Sequence, residues 1–164
     1  MITISPVDLL LRVSAASVGA CESPPNTNAG PYVERVLRRT GNAKGDPWCA
    51  AQVTDWGVLA LGDAWPVRRS ASVQQIALWA RERQCVHPPA EAQVGDLFVL
   101  WYPSLNRFAH IGIVIGVNAN GTIATREGNT SGAGSREGWV VADRLRTLGT
   151  KDRVIRWTTA LSMP

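Results

Sequence analysis

Long apolar runs are missing from this chain of 164 residues. The longest early one, Val7 to Leu11, is broken by Arg12 and has no basic segment before it. Neither a signal peptide nor a membrane-spanning helix is therefore expected. Cysteine is scarce: Cys21, Cys49 and Cys85 are odd in number, with no CxxC pair and no zinc-type spacing. At most one disulfide fits, it would leave one thiol free, and without an export signal reduced thiols are the expectation. Dense basic tracts are absent too. A formal net charge of +4 and a pI near 9.4 attract polyanions. The arginines from Arg35 to Arg156 are nevertheless scattered, with no nucleic-acid motif among them. A solvated basic surface follows, with neither nucleic acid nor membrane as partner.

With 18% charged and 45% hydrophobic residues, the composition is globular. The length suits one domain, 1–164, burying roughly 70% of its unfolded surface. Its first part, 1–85, patterns as helices. Ser5-Pro6-Val7-Asp8 opens one with Val7, Leu10 and Leu11 on a face, and Glu22 to Gly30 is a loop dense in turn formers. Pro31 to Arg39 forms a second helix, and the Cys49 helix carries Val53, Trp56 and Ala60 inward. Val73 to Arg83 forms a fourth, closed by a loop at His87-Pro88-Pro89. From 90 to 158 the period becomes strand-like, over Val94 to Trp101, Ala109 to Val117, Gly121 to Asn129, Trp139 to Arg144 and Val154 to Trp157. Helices followed by a run of strands predict an α+β fold, with helices on one side of an antiparallel sheet.

Asp46-Pro47-Trp48-Cys49 reads as a helix start, with Asp46 as N-cap, Pro47 at N1 and Cys49 at N3. Orphan amides and the positive end of the helix dipole favour a thiolate there, and such cysteines commonly titrate at about 3.5–7.5 instead of about 8.5. Taken alone, Cys49 reads first as a small buried hydrophobe. The strands add a base. In Ala109 to Ile115, His110 shares a face with Gly112, and the glycine leaves room for a close approach. Asn118 to Gly121 is a hairpin turn. Pairing Val117 with Thr122 sets Asn129 opposite His110, with Glu127 one diagonal away. A histidine held by a carboxylate or amide beside a thiol is the arrangement that nucleophilic catalysis requires.

Several stretches in this order resemble the CHAP family, the cysteine, histidine-dependent amidohydrolases and peptidases of the papain-like superfamily. They are Pro47-Trp48-Cys49-Ala50-Ala51 opening a helix, Val94-Gly95-Asp96-Leu97-Phe98, His110-Ile111-Gly112-Ile113-Val114, and Glu127-Gly128-Asn129-Thr130. The resemblance runs from about Ala29 to Trp157. It implies a papain-like fold, with N-terminal helices on a five- to six-stranded antiparallel sheet. By it Cys49 is the nucleophile, His110 the general base and acid, Glu127 the orienting residue and Asn129 a supporting fourth. It also implies hydrolysis of an amide bond in bacterial peptidoglycan, by an N-acetylmuramoyl-L-alanine amidase or by a stem-peptide or cross-bridge endopeptidase. No cofactor is implied. Asn42-Ala43-Lys44-Gly45-Asp46 offers one acid where some relatives carry a calcium loop, so no metal is expected. Trp48, Trp101 and Phe108 are candidates for lining the substrate groove. A monomer made in the cytoplasm is expected. It would reach the wall by holin-type release, as an endolysin, or through a secretion system, as an effector paired with an immunity protein. The alternatives are a non-catalytic wall- or partner-binding domain, and a thiol peptidase or acyltransferase with another substrate.

Overall fold

The computed structural model describes residues 4–131 and 138–162. Its helices begin where cap chemistry allows. The Ser5 hydroxyl accepts the Asp8 amide at 3.1 Å, and Pro6 supplies a preset φ at the start of α1 (Pro6–Ala15). Gly30, at φ 110°, precedes α2 (Pro31–Arg38); a Cβ there would meet the Ser23 amide nitrogen at 2.7 Å, so the turn needs glycine. α3 (Cys49–Leu61) has no side-chain cap, whereas Ser72 caps α4 (Val73–Glu82) by accepting the Gln75 amide. None of these helices is long and apolar enough to cross a membrane.

Six strands follow: β1 (Val86–His87), β2 (Leu97–Tyr102), β3 (Arg107–Val117), β4 (Ile123–Thr130), β5 (Val140–Arg146) and β6 (Arg153–Ile155). They form one antiparallel sheet in the order β1-β6-β2-β3-β4-β5. The α+β architecture and the antiparallel sheet are those expected. The loop expected at His87 begins one residue later, because Val86 and His87 pair with Ile155 and Val154 before Pro88, which lacks a backbone donor, ends the strand.

Alternation along the strands splits the core in two. Leu97, Val99, Ile111, Ile113 and Ile155 join the buried residues of the helices in the main cluster. Phe98, Val114, Ile123 and Val154 form a smaller one on the opposite face. By the same alternation His110 and Gly112 belong to this second face, together with Val114. The hairpin differs from expectation near its turn, where Val117 pairs with Ile123, not with Thr122. A bulge between Val114 and Gly116 absorbs one residue, and from there inward Ile113 faces Arg126. The expected register is thus restored before it reaches Glu127.

Candidate active site

The sulfur comes from the start of α3. That helix begins later than expected: Trp48 is the N-cap and Cys49 the first helical residue, with the first intrahelical bond from the Gln52 amide to the Trp48 carbonyl at 2.8 Å. Asp46 cannot cap it, because its carboxylate is used in its own loop by Asn42 Nδ2 at 2.9 Å and by the Ala43 amide. A different brace fixes the helix start. The Trp48 indole donates to buried Glu22 at 2.9 Å, and the other Glu22 oxygen accepts the Thr27 amide at 2.7 Å. Trp48 is therefore a fully buried anchor and does not line a groove. Gly128 lets β4 come close, since a Cβ there would meet the Gln52 side chain at 2.7 Å and the Trp48 ring at 3.0 Å.

His110 is fully buried on β3. Its Nε2 donates to Glu127 Oε2 at 2.7 Å, and its Nδ1 has no nitrogen or oxygen partner among the described residues. The ring interacts instead with the Cys49 side chain. Glu127 also accepts from the Thr125 hydroxyl at 2.6 Å and from Arg146, whose Nη2 lies 2.6 Å from Oε2 while Nε bonds Oε1. Burial works against the imidazolium. Hydrogen bonds to Cys49 and Glu127, with their charges, outweigh it and raise His110 from 6.5 to about 9. Burial likewise works against the Glu127 carboxylate, but Arg146 and His110 pull it well below the usual range. Glu127 is therefore held as a carboxylate, and the imidazole keeps its proton to higher pH than a free histidine does.

A groove of about 440 Å³ gives access to the sulfur and is lined by Cys49, Asn42, Arg69, Ser72, Gln75 and Arg107 among others. Trp101 and Phe108 are not in it. They pack edge to face at 5.2 Å, and Phe108 borders a separate small cavity with Arg81 and Arg153. The groove's polar lining comes from the loop before α3, from the segment leading into α4 and from the start of β3, and sequence periodicity does not distinguish the two loop segments from ordinary loop. Asn129 is buried beside a bulge in the β4 ladder, with φ 54° and, among the described residues, no partner for its Oδ1; the bond to His110 is made by Glu127 instead. Arg146 and Thr125 do not stand out in the sequence pattern. The strand was expected to end at Arg144, yet continuing its alternation by one more pair brings Arg146 onto the Glu127 face. Among the described residues no cluster of three or more His, Cys, Asp or Glu side chains could hold a metal.

A family model for the CHAP domain matches residues 39–129, more than half of the chain, from the end of α2 to the end of the Glu127-Gly128-Asn129 stretch. The chain belongs to the CHAP domain family. No curated protein and no solved structure matches it. Membership implies a hydrolase of the amidase or peptidase type acting on cell-wall material in general.

The buried pair gives this CHAP domain a pH-dependent stability. His110 is raised above its ordinary 6.5, so its contribution is complete below pH 6.5 and is lost as pH rises through about 9. Glu127 is lowered, so its contribution is present above 4.5 and is lost only on strong acidification. Urea unfolding is expected to show stability falling between pH 6.5 and 10, by about 3 kcal/mol at most from His110. His110→Gln should abolish that fall. An identical fall in the variant would assign it to other groups.

Proposed function

We propose that this protein is a cysteine-dependent peptidoglycan hydrolase that cleaves an amide bond by acyl transfer through Cys49. The observation that carries the reading is the buried imidazole, held by Glu127 on one nitrogen and meeting the Cys49 side chain with its ring, beside an open polar groove. The sulfur attacks the carbonyl carbon and forms a tetrahedral intermediate. When the C–N bond breaks, His110 gives its proton to the departing amine, leaving a thioester on Cys49. Water then gives a proton to His110 as its oxygen attacks the thioester, and the carboxylic acid product leaves as the thiolate re-forms. The first amides of α3 have no carbonyl of their own helix to bond, and the Cys49 N–H is the donor assigned to the oxyanion.

A net charge of +4 and two arginines in the groove suit an anionic polymer. The protein would reach the wall after holin-type release or by secretion, and the neighbouring genes, a holin or an immunity protein, distinguish these routes. The test is mass spectrometry of peptidoglycan digested by the purified protein. The expected products carry one new amine and one new carboxylate at a single type of amide, either muramyl–L-Ala or within the peptide. Products cut only in the glycan, or no products, would overturn the reading.

A further inference from the structure

Arg146 lies at the end of β5, opposite Ile123 in the β4 ladder, whereas Glu127 faces Ala142. Its side chain therefore runs along the sheet past Thr125 to reach the carboxylate. There it binds with two nitrogens, Nε to Oε1 and Nη2 to Oε2, a fork that matches the carboxylate plane. The guanidinium also lies over the Phe98 ring at 5.8 Å, the ring that packs 6.2 Å from His110. This is the sheet face of the smaller apolar cluster, away from the main helix-packed core. A buried Glu–His pair on that side needs cover from water, and Arg146, with its side chain 15% exposed, lies at this boundary.

We infer that Arg146 is a positioning residue for the hydrolysis, clamping Glu127 so that its carboxylate stays in line with His110 Nε2 and shares its charge between two cations. The inference rests on the Cys49–His110 chemistry proposed above. Two effects follow from the one contact. The fork fixes where the carboxylate points, and through it the imidazole orientation. Its positive charge also offsets part of the Glu127 charge that would otherwise fall on His110 alone. An imidazolium held too tightly is a poor acid toward the leaving amine, so a shared carboxylate keeps the proton transferable. Lysine could supply the charge but not the two-pronged geometry.

The test uses ¹⁵N-histidine-labelled protein, in which His87 and His110 are the only two histidines. The His110 ring is titrated by NMR in wild type, Arg146→Met and Arg146→Lys, and peptidoglycan clearing is measured alongside. In Arg146→Met the His110 midpoint is expected to rise by about one unit, because the carboxylate now faces His110 without a competing cation. Clearing should fall at least about tenfold. In Arg146→Lys the midpoint should stay near wild type while clearing still falls, because only the fork is lost. A folded Met variant with an unchanged or lower midpoint overturns the charge-sharing role, and a Lys variant that clears at the wild-type rate overturns the clamp. The titration needs no turnover. If wild type itself fails to cleave peptidoglycan, the proposed substrate falls while the midpoint shift still decides the charge-sharing role.

Discussion

Cys49→Ala is expected to stop peptidoglycan clearing, with a loss of at least about 10³-fold in rate, while the unfolding free energy changes by no more than about 2 kcal/mol. The disparity follows from where the sulfur sits. Cys49 is 3% exposed at the first residue of α3, and alanine, a good helix former, removes one buried atom while leaving the backbone alone. The chemistry loses its only nucleophile. The brace that fixes the helix start, Trp48 on Glu22, is untouched. A second signature accompanies the loss. Cys49 helps raise His110, so in Cys49→Ala the imidazole midpoint should drop below about 9. Clearing rate, urea denaturation and the histidine titration check these three statements. A Cys49→Ala protein that clears at the wild-type rate would sink the thiol mechanism.

The parts of this site that depend on periodicity are legible in the amino-acid sequence itself. Alternation along β3 places His110 with Gly112, and a hairpin near Asn118 brings β4 back within reach, so strand geometry puts Glu127 and Asn129 on the face of His110 without choosing which of the two bonds the ring. Register tolerates an error at the turn because the bulge at Val114 and Gly116 corrects it. What depends on long-range competition is less visible. Asp46 has the chemistry of an N-cap, but its own loop offers it closer donors. Trp48 sits beside the nucleophile in sequence, yet the buried Glu22 carboxylate, 26 residues away, draws its indole inward. Arg146 is hidden for a third reason. A strand end is the least certain feature of a periodic pattern, and two further residues of β5 decide whether the arginine reaches the Glu127 face. Local pattern thus predicts which residues share a face, while the donors and acceptors that each side chain finds across the fold decide caps, anchors and clamps.

Gly112→Ala should cost both activity and stability, and by a route that identifies what the glycine is for. Its backbone needs no left-handed conformation, so the substitution meets no φ penalty, only crowding. A Cβ there would lie 2.5 Å from the Arg126 carbonyl oxygen, 2.8 Å from Phe98 Cε1 and 3.0 Å from Glu127 Cγ. Phe98 could turn slightly, but the carbonyl is backbone and moves only with β4. Relief therefore means pushing β4 and the Glu127 side chain away from His110. Overpacking of this kind costs about 1–3 kcal/mol, and a misplacement near 1 Å costs about 10²-fold in rate. The His110 midpoint should fall as the carboxylate recedes, since the 2.7 Å bond to Glu127 helps to raise it. Gly116→Ala is the control on the same strand. Its Cβ would meet only the Ala124 methyl, at 3.3 Å, so both activity and the His110 midpoint should stay near wild type. Equal losses from the two substitutions would mean that β3 responds to any added methyl, and the assignment of Gly112 as the space Glu127 occupies would fail.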